Sequence, residues 1–123
     1  MIPKRPTLSI LGPEGYTLKE WHVNGVLHRE DGPAVFHLNA EGNLKIIWYL
    51  NGKFHRQEDG ERGGPAYIEK TKLSKTEIWC FNGEIHKNVG PAYVVTTTNF
   101  VDSGWYKRGK FLKCRRRKNA DFK

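Results

Sequence analysis

One short phrase recurs along this chain and constrains its fold more than any other feature. WHVNGVLH begins at Trp21, WYLNGKFH at Trp48 and WCFNGEIH at Trp79. A fourth copy, WYKRGKFL from Trp105, keeps Trp and Gly but has Arg108 for Asn and Leu112 for His. Gly-Pro-Ala follows the first three, at Gly32-Pro33-Ala34, Gly64-Pro65-Ala66 and Gly90-Pro91-Ala92. The distance from Trp to that Gly is 11, 16 and 11 residues, so the second copy holds five extra residues in a unit otherwise 26 or 27 long. An incomplete half-unit, Gly12-Pro13 and then Tyr16, leads into Trp21. A repeat of this period signals an array of identical supersecondary units.

Elementary stereochemistry gives the unit its shape. Asn-Gly between two apolar runs favours a two-residue type I′ turn, which needs positive φ at both central positions. Placing the turn at Asn51-Gly52 sets Leu50 opposite Lys53, Tyr49 opposite Phe54 and Trp48 opposite His55. Side chains alternate between faces. One face therefore collects Trp21/His28, Trp48/His55, Trp79/His86 and Trp105/Leu112. The other collects His22/Leu27, Tyr49/Phe54, Cys80/Ile85 and Tyr106/Phe111. Proline cannot donate to a ladder and belongs at the start of a strand, so AVFHL, AYIEK and AYVVT open new strands. NLKIIW and KTEIW return to the next Trp. No segment has the 3.6-residue periodicity and capping signals of a helix. The expected fold is all-β: an elongated, twisted antiparallel meander of three to four stacked hairpin repeats over residues 1–113, with a basic flexible tail at 114–123.

Charge is distributed unevenly. Of 21 basic and 13 acidic residues, nine and one fall in residues 105–123, leaving the first 104 residues with 12 of each. A neutral body thus ends in a cationic segment. The length, 123 residues, suits one domain with a modest core. No apolar run approaches the 18 residues of a membrane span, and the opening MIPKRPTLSILGPEG lacks the apolar core of a signal peptide. Two isolated cysteines, Cys80 and Cys114, read as free thiols in a reducing, cytoplasmic setting.

The pattern W-x-x-N-G-x-x-H-R-x-D-G-P-A resembles the MORN-like β-hairpin repeats. It is most similar to the divergent N-G-x-x-H-R-x-D-G-P-A form found in bacteriophages and large DNA viruses. The match is fullest at Asn24-Gly25, His28-Arg29 and Asp31-Gly32-Pro33-Ala34, and at Asn51-Gly52, His55-Arg56 and Gly64-Pro65-Ala66. In the third copy Lys87 stands for Arg and Asn88-Val89 replace the acidic pair. The resemblance implies stacked hairpins used for scaffolding and binding, with no catalytic residues to carry over, and a viral accessory protein acting in the host cytoplasm.

His28, Arg29 and Asp31 could form an acid–base constellation. The set recurs from unit to unit, however, which is the mark of architecture. The expectation is that His covers the Trp and bonds to the turn, while Asp31 and Asp59 accept turn amides. The histidines lie one per unit, too far apart for a shared metal, so neither a metal nor a cofactor is expected. Cys80 reads as a buried hydrophobe, and Cys114 as a bystander among cations.

Contact residues are expected where the repeat breaks. The inserted loop offers Arg56, Glu58, Asp59, Glu61 and Arg62, since insertions in arrays map to loops on one face. The cationic end offers Lys107, Arg108, Lys110, Lys113, Arg115, Arg116, Arg117 and Lys118 to nucleic acid or an acidic partner. The sequence thus points to a non-enzymatic binding module that engages, and in one version inhibits, a host or viral nucleoprotein or defence complex. The alternative is a direct nucleic-acid binder or a virion or DNA-packaging component. A single sheet leaves apolar surface uncovered, so a homodimer is a further expectation.

Overall fold

The computed structural model describes residues 5–119. Nine strands form one open antiparallel sheet, in spatial order β1, β2, β5, β6, β9, β10, β13, β14, β15. These are Leu8–Leu11, Thr17–Glu20, Val35–Leu38, Leu44–Ile47, Tyr67–Lys70, Ser74–Ile78, Tyr93–Thr97, Phe100–Lys107 and Lys110–Lys118. Nine strands at about 4.8 Å make a sheet roughly 38 Å across. Three short hairpins leave one end of it: β3–β4 (His22–Val23, Val26–Leu27), β7–β8 (Tyr49–Leu50, Lys53–Phe54) and β11–β12 (Cys80–Phe81, Glu84–Ile85). Among the described residues the only helical turn is the 3₁₀ turn Pro13–Gly15 between β1 and β2.

The turns follow the sequence. Asn24, Asn51 and Asn82 have φ of 52°, 51° and 50°, and Gly25, Gly52 and Gly83 have 78°, 78° and 83°. Arg108-Gly109 adopts the same conformation, with φ of 48° and 78°. In the second hairpin Tyr49 pairs with Phe54 and Leu50 with Lys53, and the His55 amide donates to the Trp48 carbonyl. The fourth hairpin departs from the expected register. Trp105 pairs with Lys113, not with Leu112, because a bulge shifts the ladder between Trp105 and Tyr106. No Gly-Pro-Ala segment follows here, so β15 itself must return from the hairpin into the sheet, and a bulge supplies that bend.

Hydrogen bonds join the hairpins into a second row. The amides of Gly52, Gly83 and Gly109 donate to the carbonyls of Leu27, Phe54 and Ile85, each at 2.8 Å. This row leans over what we call the first face of the sheet, which carries Val35, Ile47, Tyr67, Ile78, Tyr93 and Gly104 side by side. Phe54 meets Tyr67 edge-on at 6.3 Å. A Cβ on Gly104 would lie 3.1 Å from the Tyr106 ring, which explains the glycine there. Cys80 is buried beneath the same layer, 3% exposed, and burial pushes its thiol up to about 11.

On the opposite, second face the tryptophans alternate with alanines. Trp21 donates to Ala34, which donates to Ile47; Trp48 donates to Ala66, which donates to Ile78; Trp79 donates to Ala92, which donates to Gly104. Each alanine therefore lies between successive Trp positions and is fully buried. The Ala of Gly-Pro-Ala is the spacer that lets the indoles sit one per unit.

The chain does not end in a flexible tail at residue 114. Strand β15 stays paired with β14 as far as Lys118 opposite Phe100. Arg116 forks onto Asp102 (Nε–Oδ1 2.6 Å, Nη2–Oδ2 2.9 Å) and lies over the Phe100 ring at 4.5 Å. Backbone pairing and these contacts outweigh the mutual repulsion of the basic run. Residues 120–123 lie outside the described residues.

Candidate binding surfaces

The His-Arg-x-Asp residues serve as fasteners between units. His28 Nδ1 accepts the Asn51 amide at 2.9 Å, His55 Nδ1 the Asn82 amide at 2.9 Å, and His86 Nδ1 the Arg108 amide at 3.0 Å. Each imidazole thus secures the turn of the next hairpin, not that of its own. Because all three Nδ1 lone pairs take an amide proton, the Nε2 atom must carry or share the ring proton. His28 is 8% exposed, so its bond closes a largely dry contact.

The basic residue after each His, and after Leu112 in the fourth copy, caps the tryptophan. Arg29 lies over Trp21 and Arg56 over Trp48, both at 4.0 Å from the ring centroid, with Lys87 over Trp79 at 3.9 Å and Lys113 over Trp105 at 4.7 Å. Arg29 donates to the Pro33 carbonyl at 3.1 Å and to Asp31 Oδ1 at 2.9 Å. That guanidinium hydrogen bond holds the Asp31 carboxyl below its usual value, with a smaller contribution from its own backbone amide. Arg56 donates to Pro65 at 2.9 Å, but its Nε proton goes to the Arg62 carbonyl at 2.7 Å. The expectation that Asp31 and Asp59 serve chiefly as acceptors for turn amides is therefore corrected. Asp31 serves its arginine, and the inserted loop supplies a backbone carbonyl in place of Asp59.

The inserted loop folds back on the array. Glu58 Oε1 accepts the Asn88 amide at 2.7 Å and Oε2 the Val89 amide at 3.4 Å. Lys107 grips the same loop from the other side, donating to the carbonyls of Lys87 and Asn88. Beside Glu58 opens a groove of about 630 Å³, lined by Arg56, Glu58, Asp59, Trp79, Phe81, Glu84, His86 and Arg108. Phe81 is 46% exposed and packs against the His55 ring at 4.4 Å. Arg62 faces a smaller depression with Arg29, Glu30 and His55, and Glu61 is exposed. The five loop residues thus do not form one patch.

The cationic residues separate by role. Lys107 and Lys113 are engaged in the contacts above, and Arg116 is bound to Asp102. Lys110, Arg115, Arg117 and Lys118 are exposed along β15. Cys114 is exposed on the same strand, opposite Gly104. Lys70 and Lys75 were not singled out in the sequence, although they border the Thr71–Leu73 turn. The register sets them directly opposite one another.

No group of three or more His, Cys, Asp or Glu side chains among the described residues could hold a metal ion. No helix among them is long and apolar enough to cross a membrane. Fold and surfaces together define an all-β hairpin-repeat protein, one open nine-stranded sheet with a row of short hairpins and a cationic terminal edge. No family model, curated protein or solved structure matches the chain.

Proposed function

We propose that this chain is a non-catalytic binding module that engages an anionic macromolecular surface through its β14–β15 end. One observation carries the reading: the nine exposed residues of β15 include six cations and no acid. Natural edge strands use such charges to prevent pairing with further strands, but six in nine exceeds what that purpose needs. Such a concentration of one sign attracts polyanions. The groove beside the third hairpin, with its exposed Phe81, adds a contact point for a protein component. With the resemblance to phage and viral repeats, this supports an accessory protein that engages a host nucleic-acid-handling or defence complex. A catalytic role for His-Arg-x-Asp is disfavoured because these side chains are occupied in holding successive units together.

The test is binding to three polyanions, heparin, poly-glutamate and a 20-base-pair DNA duplex, at 50 mM salt. The wild-type chain should bind at least one, and Arg115→Glu with Arg117→Glu should bind it far less. If none of the three binds the wild type, the reading fails.

A further inference from the structure

The two faces of the sheet differ in how their cations are partnered. On the first face opposite charges meet directly across strands. Lys45 pairs with Glu69 in register, with Nζ–Oε2 at 3.6 Å, and Asp102 pairs with Arg116. On the second face the row nearest the far turns runs Lys70, Lys75, Thr96, Val101, Arg117. Two lysines stand directly opposed, which costs stability. Arg115, in the next row of the same face, lies opposite Ser103. Glu77 lies 3.5 Å from Lys75 Nζ. No ion pair to Lys70, Arg115 or Arg117 forms among the described residues. The second face thus carries three cations, Lys70, Arg115 and Arg117, with no ion-pair partner among the described residues, a local excess of positive charge that an outside anion can fill.

We infer that the second face, between β9 and β15, docks the phosphate backbone of a nucleic acid through Lys70, Lys75, Arg115 and Arg117. The inference rests on the polyanion reading above and names its partner and its face. The site is the flat sheet surface, not the strand edge. Lys75 and Arg117 are three strand spacings apart, roughly 14 Å at the usual inter-strand distance. That span is close to the ~12 Å width of a B-DNA major groove, so the two clusters can meet backbones on either side of it. A duplex offers one charge per ~1.7 Å of axis, a continuous anion that suits four cations spread over a plane. The contacts are all to the backbone, so binding is independent of base sequence.

Four phosphate contacts predict a slope of about −3.6 for log affinity against log salt, hence a loss of about 150-fold between 50 and 200 mM. The experiment is fluorescence anisotropy with a labelled 20-base-pair duplex of arbitrary sequence. Lys70→Gln with Lys75→Gln should reduce the slope to about −1.8 and the affinity at 0.1 M salt by about 60-fold. Lys45→Gln, on the first face, should change the affinity less than twofold. The double variant should keep its Tm within a few degrees of the wild type without DNA, because relief of the opposed lysines is offset by loss of the Lys75–Glu77 pair; that retained Tm establishes that lost binding is not lost folding. An unchanged slope in the double variant overturns the inference. So does binding of poly-glutamate as tight as binding of the duplex, which would assign the surface to an acidic protein and leave the general reading standing. Failure of every polyanion removes both.

Discussion

Replacing Gly32 by alanine tests the fastening scheme through a single methyl group. A Cβ at this position would lie 2.8 Å from Arg29 Cζ, 3.0 Å from Nε and 3.1 Å from Nη1. Gly32 needs no left-handed backbone, so alanine adds steric pressure in the folded state, against a gain of about 0.4–1 kcal/mol from a less flexible unfolded chain. The guanidinium must leave the Trp21 face, where cation–π attraction contributes about 0.5–2 kcal/mol. It also loosens the Pro33 hydrogen bond, which as a charged bond contributes about 1.5–3 kcal/mol. The Asp31 pair, on a 46% exposed carboxylate, adds at most about 1 kcal/mol. Partial relocation of a flexible arginine recovers some of this, so Gly32→Ala should cost about 2 kcal/mol. That corresponds to a fall in Tm of roughly 6–12 °C for a chain of this size. The assay is urea or thermal unfolding of four proteins: wild type, Gly32→Ala, Arg29→Ala and the double variant. Once Arg29 has been removed, the added methyl should cost less than about 0.5 kcal/mol, leaving a coupling of 1 kcal/mol or more. A methyl that destabilises equally in both backgrounds would refute the idea that Gly32 is glycine on account of the arginine. Gly64 is a poorer probe, since its φ of 142° adds backbone strain to the same contact.

Three further outcomes follow from the same contacts. His28→Leu removes the acceptor of the Asn51 amide in a part-buried contact and should cost about 0.5–1.5 kcal/mol, with faster hydrogen exchange at Asn51. Burial holds the His55 imidazole below its ordinary value, so its neutral form is favoured in the native state. Its contribution to stability is complete above the unfolded pKa of about 6.5 and falls as pH drops through the folded pKa. The wild type should therefore lose stability from pH 7 to pH 5, and His55→Gln should flatten that slope. Cys114 should react with a thiol reagent in the native protein, whereas Cys80, buried and raised to about 11, should react only on unfolding.

What was legible from the residues is the local geometry. Asn24-Gly25, Asn51-Gly52 and Asn82-Gly83 specify turns of one kind, because few residues accept positive φ. The alternation of side chains then determines which partner stands across each hairpin. Composition alone cannot distinguish a solvated basic run from an edge strand, so residues 114–118 read as tail in the sequence and are strand in the fold. Pairing with β14 and the fork of Arg116 on Asp102 decide that. The reach of His55 to the Asn82 turn was hidden for a related reason: the two residues are 27 positions apart, and only stacking of the units brings them together.

The sequence by itself determined the all-β repeat, the turn type and the register of the three Asn-Gly hairpins, since these depend on φ preferences and a period of two within a few residues. Only the tertiary structure decided which units fasten to which, where the Trp–Ala row lies, and that Lys70 opposes Lys75 on the face that also carries Arg115 and Arg117. Those relations join residues up to 47 positions apart, and no local preference encodes the neighbour that a strand acquires when the sheet assembles.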